Sequence, residues 1–302
     1  MGIEVWQSID KIDPDVYLYH YTSIETLLKI LYFNSLRFSD LCKTNDLFEQ
    51  KPKIIFESKA PEDFERIKII KQYLNDQRKR VKVLCFSQDS QYEPEQLENI
   101  QHEIRTHLTK DKERAHMFGR GFALPRMWAQ YASNNQGVCI IFKKEELLKL
   151  AKEQNVLVSH KPVIYKNIFD SFIINKRLIE AIYTLIQSNK ENALRQIIAL
   201  NTLFVEYNYF SKVSDWDGEN EYRLLSTSNN PDEIIEIHDI NRAVAGIVLG
   251  GRASAEYQFL LFWMYSKRYD LRRICFDDEI TRIEKIRFEG EKENDYSKFK
   301  PV

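Results

Sequence analysis

Glycine and proline are scarce in this chain, at 9 and 8 of 302 residues. That shortage disfavours collagen-like repeats, propellers and loop-dominated β-folds, which need frequent turns. Four cysteines (Cys42, Cys85, Cys139 and Cys275) stand far apart with no CxxC spacing. Long apolar runs are missing too. IVLG at 247–250 is typical of the short stretches present, so no transmembrane helix fits. The opening MGIEVWQSIDKIDPD has neither the basic n-region nor the apolar h-region of a signal peptide, and Trp at position 6 argues against myristoylation of Gly2. These absences point to a cytoplasmic protein with reduced thiols and no membrane partner. An excess of one charge is also lacking. Basic residues number 44 and acidic residues 45, giving a net charge of −1, so no global field draws in nucleic acid or an anionic membrane. There is no Walker motif, GxGxxG, GxSxG or HExxH.

What is present is ordinary globular composition rich in aromatics. Apolar residues make up 43% and charged residues 29%, with 16 Tyr and 18 Phe. A chain of this length buries about three quarters of its unfolded surface. Strand-like segments at 15–22, 35–41, 80–88, 137–143, 162–165, 220–228, 233–238, 243–250 and 272–277 alternate with helical ones. Helices are expected at 23–34, capped by Ser23, at 61–80, where Pro leads and acids precede bases, at 126–132 and at 256–269. Residues 91–118 and most of 143–212 read as helical, and 44–50 as polar turn. The expected fold is α+β, with a mixed, mainly antiparallel sheet core. One composite domain spans 1–302, with mainly helical insertions at 51–125 and 166–212 and a polar tail at 289–302.

Several constellations carry chemistry. His20, in Tyr19-His20-Tyr21-Thr22-Ser23, sits where the first strand meets the first helix, beside backbone amides that favour an anion. Its alternative role is to tie down the strand end. Asn45-Asp46 in 45–49 reads as capping chemistry or as a polar loop beside His20. Cys85 reads as a small buried hydrophobe. Trp128 and Tyr131 stand three residues apart on one helix face, suited to core packing or to stacking on a flat ring. Most telling is Asp215–Arg223. As a strand, it places Glu219, Glu221 and Arg223 on one face. Those charges are costly to bury unless paired or used, and an exposed face with an internal Glu–Arg pair is the bland alternative. The histidines at 102, 107 and 116 have no metal-binding spacing, and no zinc or other metal site is expected.

The ordered segments LYHYTSIETLLKIL, LRFSDL, TNDLFE, VLCFS, MWAQYA with GVCIIF, WDGENEYRLL and AGIVLG resemble the prokaryotic family called domain of unknown function 2971, over about 17–276. More distantly, the order of His20, helix, strand and a late Glu is similar to the ADP-ribosyltransferase fold. The chain departs from that fold in having no aromatic-bearing Gly-rich segment after the second strand. The similarity implies an ADP-ribosyltransferase-like sheet and NAD as substrate. It makes His20 the ribose ligand, Tyr131 or Trp128 the stacking residue, and Glu221 or Glu219 the catalytic acid, with Arg223 beside them. The full ligand-binding set expected is His20, Tyr21, Thr22, Arg37, Ser39, Asn45, Trp128 and Tyr131. The chemistry is coherent in itself, because a carboxylate near a developing ribose cation stabilises the transition state more than the ground state.

The function expected first is an NAD-utilising ADP-ribosyltransferase or NAD glycohydrolase, in phage defence or as a toxin. It acts on a small-molecule nucleotide, with an acceptor macromolecule left open and a homo-oligomer allowed. Two other classes stand beside it. One is a Mg²⁺-dependent nuclease using Asp46, Glu49, Glu219 and Glu221, with Arg37, Arg120 and Arg126 as a local basic patch. The other is a ligand sensor or interaction module without catalysis.

Overall fold

The computed structural model describes residues 13–286 apart from 51–53, 92–95, 97, 100–101, 103–118, 168–170, 189–192, 194–195, 198–201, 267 and 277–280. In chain order the strands are β1 (Tyr17–Thr22), β2 (Ser35–Arg37), β3 (Ser39–Asp40), β4 (Ile54–Phe56), β5 (Val81–Gln88), β6 (Val138–Lys143), β7 (Ser159–Pro162), β8 (Ile164–Lys166) and β9 (Phe172–Ile174). They continue with β10 (Ser211–Val213), β11 (Glu221–Thr227), β12 (Glu236–His238), β13 (Val244–Leu249), β14 (Leu271–Phe276) and β15 (Thr281–Lys285). The helices are α1 (Ile24–Phe33), α2 (Pro61–Arg78), α3 (Pro125–Tyr131), α4 (Lys144–Glu153), α5 (Lys176–Ser188), α6 (Thr202–Tyr209) and α7 (Ala255–Tyr265).

The main sheet runs β15-β14-β13-β6-β1-β5-β11-β7, with β3 also paired to β5. Its pairs are antiparallel except β13 with β14. The fold is therefore mixed α and β around a mainly antiparallel open sheet. Alternation along the strands sorts apolar side chains to two faces. On one face Leu18, Ile140 and Ile247 pack with Leu27 of α1, Leu147 of α4 and Leu261 of α7. On the other, Tyr19 and Tyr21 meet Trp128 of α3. Farther along that face Val83 and Leu225 meet Ile70 of α2, Ile182 of α5 and Phe204 of α6. No helix among the described residues is long and apolar enough to cross a membrane.

The turn from β1 into α1 is fixed locally. Ser23 is extended at the N-cap, and its Oγ accepts the Thr26 amide at 3.1 Å. At the far end Asn34 takes the left-handed conformation (φ 51°) and its N–H reaches the Ile30 carbonyl. Ser23→Ala is expected to cost about 1 kcal/mol, read as a lower urea midpoint at unchanged slope.

The sheet parts beside β5. β1 pairs with β5 only at Leu18↔Gln88 and Tyr19↔Ser87, because β1 stays in register with β6 along Tyr17–Thr22. Farther along the same edge, β3 takes over at Ser39↔Val83 and Asp40↔Lys82. Between these two contacts lies an opening along Leu84, Cys85 and Phe86.

Some expectations are corrected. The strand expected at 35–41 is broken at the buried Phe38 into β2 and β3. The strand expected at 80–88 is β5, which takes a central place in the main sheet. The break expected at 162–165 holds two strands, β7 and β8, and the helical stretch expected over 166–212 also contains β9 and ends in β10. Strand β15 had no counterpart in the sequence reading. The helix read over 91–118 falls almost wholly outside the described residues, and the tail at 289–302 wholly so.

Candidate functional site

A cavity of about 520 Å³ opens where β1 and β5 part, within the range of small-ligand sites. His20 and Thr22 of β1, Thr26 of α1, Arg37 and Ser39 of β2 and β3, and Asn45 line it together with Tyr131, Lys212, Glu219 and Glu221. Ile30, Leu36, Phe86 and Met127 supply apolar wall.

His20 lies across the parting. Its Nδ1 is 3.2 Å from the Cys85 carbonyl, and its ring is 5.7 Å from that of Phe86. A carbonyl only accepts, so Nδ1 carries the proton and Nε2 is the acceptor. Burial pushes the imidazole pKa down, and the Cys85 hydrogen bond opposes this only in part. The ring is thus neutral at pH 7, an acceptor rather than a cation.

Across the cavity stands a buried ionic cluster centred on Lys212. Its Nζ is 2.6 Å from Glu219 Oε2 and 2.8 Å from Glu221 Oε2. Arg223 grips Glu221 from beside it, with Nε donating to Oε1 at 2.8 Å and Nη2 to Oε2 at 3.1 Å. Arg223 Nη1 lies 2.7 Å from Glu49 Oε1 and donates to the Tyr209 carbonyl. Arg78 in turn donates to the Glu49 carbonyl. Glu49, Glu219 and Glu221 are 2–3% exposed and Arg223 is 0%. Although burial opposes it, the Arg223 and Lys212 charges hold the Glu221 carboxyl at about 2. The surrounding carboxylates, Glu221 foremost, raise Lys212 and Arg223 despite their own desolvation. Charges this deep are tolerated because each has a partner.

The approach of Glu219 comes from a turn. Ser214–Glu219 is a 3₁₀ helix, and Asn220 (φ 44°) is left-handed before β11 begins at Glu221. Glu219 is therefore not on the strand with Glu221, as the sequence reading had it. The Asn220 reversal still brings both carboxylates to one ammonium group. Arg126 of α3 donates to the Asp215 carbonyl at 2.6 Å and lies over the Trp216 ring, docking the turn on the helix. That contact puts Tyr131 where its hydroxyl donates to Glu219 Oε1 at 2.7 Å. Asn45 lies beside the Tyr131 hydroxyl.

Of the residues singled out in the sequence, His20, Tyr21, Thr22, Arg37, Ser39, Asn45, Tyr131, Glu219 and Glu221 line this one cavity. Arg223 stands behind Glu221. Trp128 is not brought in. It is 1% exposed, meets Tyr21 edge-on at 5.2 Å and donates Nε1–H to the Phe122 carbonyl, which makes it a core residue. The bland alternative for 219–223 is half right. The Glu221–Arg223 pair forms, but on a buried face. The segment 44–50, read as polar turn, buries Asp46 and Glu49.

Lys212 escaped the sequence reading because a three-residue strand has no periodicity. The one available signal was a lone Lys between Ser and Val, shortly before four alternating acids, Asp215, Asp217, Glu219 and Glu221. Among the described residues no group of three His, Cys, Asp or Glu side chains is arranged to hold a metal. The carboxylates gathered here already face Lys212 and Arg223. Arg120, considered for a basic patch, is instead buried against Asp89 at 2.8 Å.

No curated protein and no solved structure matches this chain. The chain is similar over residues 127–224, a narrower span than the 17–276 expected, to the family described as protein of unknown function (DUF2971), and that span carries Tyr131, Lys212, Glu219, Glu221 and Arg223.

Proposed function

We propose that the cavity binds a nucleotide and that the protein is an NAD-utilising enzyme, an ADP-ribosyltransferase or NAD glycohydrolase. One observation carries the reading. His20 and the Glu219–Glu221 pair, far apart in the chain, line one cavity in a parted sheet. The residues present fit such a ligand. Arg37 and Lys43 offer charge to phosphate, His20 Nε2 offers an acceptor to a ribose hydroxyl, and Phe86 and Met127 offer apolar contact. Breaking a ribose–nicotinamide bond builds positive charge on the sugar. A carboxylate kept ionised by buried cations, as Glu221 is, stabilises that charge without reorganising. His20 orients the ribose.

The test is calorimetric titration with NAD together with an assay for released nicotinamide, on wild type and His20→Ala. Saturable binding that falls at least about tenfold in the variant, the scale of one lost hydrogen bond in a closed site, supports the reading. No heat with folded wild type overturns it. A role in phage defence or as a toxin would follow if expression in a bacterial host depletes NAD and His20→Ala does not.

A further inference from the structure

A helix with one side on a core needs a single apolar stripe. α7 carries far more. Of Ala255–Tyr265, every residue but Glu256 and Gln258 is apolar or aromatic, yet only Leu261 is buried. Phe262 and Tyr265 pack partly against the core. Tyr257, Trp263 and Met264 face outward, Trp263 with 63% of its surface exposed. Helix propensity does not ask for such residues there, since Ala, Glu or Lys serve an exposed helix position better. α1 lies alongside, where the Tyr257 hydroxyl donates to Glu25 Oε1 at 3.3 Å. Two turns on from that contact, on the same flank of each helix, stand Tyr32 and Met264. Tyr32 is 81% exposed and meets the exposed Phe33 edge-on at 5.0 Å.

At about 200 Å² for a large side chain, the exposed parts of Tyr32, Phe33, Tyr257, Trp263 and Met264 amount to roughly 600 Å². That is the upper end of the apolar patches monomers show, about 300–600 Å². It approaches the roughly 800 Å² that a standard interface takes from each partner. The charges around it are of both signs. Glu25 and Lys29 stand one turn apart on the exposed side of α1, Glu256 opens α7, and Arg268 lies just beyond its end. An anionic lipid surface would ask for a basic rim instead.

We propose that this face, α7 with the exposed flank of α1, joins the protein to a second copy of itself in a two-fold dimer. In such a pair both partners use the same patch. It must therefore be apolar at its centre and carry no single sign of charge at its rim, and this one meets both conditions. Trp263, the most exposed aromatic of α7, is the anchor, and the two-fold axis brings it into the interface twice. The dimer does not depend on a bound nucleotide.

The experiment is sedimentation-velocity ultracentrifugation of the full chain over about 1–50 µM, a range set by the micromolar or tighter binding of interfaces this size. It is run on wild type, Trp263→Glu and Tyr32→Glu, with circular dichroism to show that each is folded. Both substitutions replace exposed side chains, so the fold is expected to tolerate them. Wild type is expected at twice the mass of one chain at the upper end of the range. Trp263→Glu is expected as a monomer, its dimer dissociation constant raised about a hundredfold or more, because one aromatic hot spot commands roughly thirtyfold and is lost twice. Wild type that stays monomeric throughout overturns the proposal. So does a dimer left intact by both substitutions, which would be joined elsewhere. Monomeric wild type that floats with vesicles of phosphatidylserine and phosphatidylcholine, where Trp263→Glu does not, assigns the face to a lipid surface and overturns it equally.

Discussion

Replacing Arg223 with Met unfolds the protein at a markedly lower temperature than any surface substitution. The guanidinium faces Glu221 and Glu49, and all three side chains are excluded from water. Taking one partner from a buried ion pair leaves the other charge without compensation, which costs about 3–5 kcal/mol. Typical domains are stable by about 5–15 kcal/mol, so most of the margin goes. In a chain of this size the midpoint should fall by about 10 °C, measured by calorimetry at pH 7. A companion variant, Arg223→Met with Glu221→Met, is expected to recover only part of the loss, since Glu221 is no longer a buried charge beside an apolar group while Glu49 still lacks its partner. A shift of less than about 2 °C in the single variant would mean that water reaches the cluster.

The second large effect is a pH dependence that Glu221→Gln abolishes. Glu221 has a folded pKa of about 2 against an ordinary 4.5, because Arg223 and Lys212 favour its charged form. A carboxylate depressed in this way contributes stability that is present in full above pH about 4.5. The contribution is lost as the pH falls through about 2. Near neutrality it is on the order of 3 kcal/mol. Wild type is therefore expected to exceed Glu221→Gln by that order at pH 7. The gap should close between pH 4.5 and 2, where the protonated acid is as neutral as the amide. Urea unfolding at a series of pH values reads the gap directly. A gap that stays constant down to pH 2 would show that shape, rather than charge, sets the cost of the substitution.

The parts of the fold legible in the sequence are those with long, regular patterns. β1 into α1 announced itself by an aromatic strand followed by Ser23 and apolar positions at helical spacing. β5, β6, β11 and β13 are runs of apolar and β-branched residues bounded by turns. The elements that escaped are short. β10 spans three residues and β3 two, too few for a period of two to register. For the site, the sequence supplied His20, Asn45, Tyr131 and both acids but not what joins them. Whether Glu221 is exposed or buried is decided by Lys212 and by Glu49, which enter from elements that are local noise in the sequence. The alternation argument placed Glu219 on the strand because it passed over Asn220, a residue type that tolerates the left-handed turn it adopts here. The carboxylates converge all the same, through a reversal rather than a pleat. Trp128 went the other way. Its spacing to Tyr131 suited a shared ligand face, but the larger apolar ring was drawn into the core beside Tyr21 and Phe122.

The parting beside β5 has one more effect. A strand residue turns its N–H and C=O to the same edge, and the Cys85 carbonyl faces His20. Cys85 therefore directs its main-chain amide to that edge as well. A molecule lodged there meets polypeptide backbone, which no side-chain substitution deletes. Changes at His20 or Glu219 then retune what the opening prefers, while the opening itself persists as long as β1 follows β6 instead of β5.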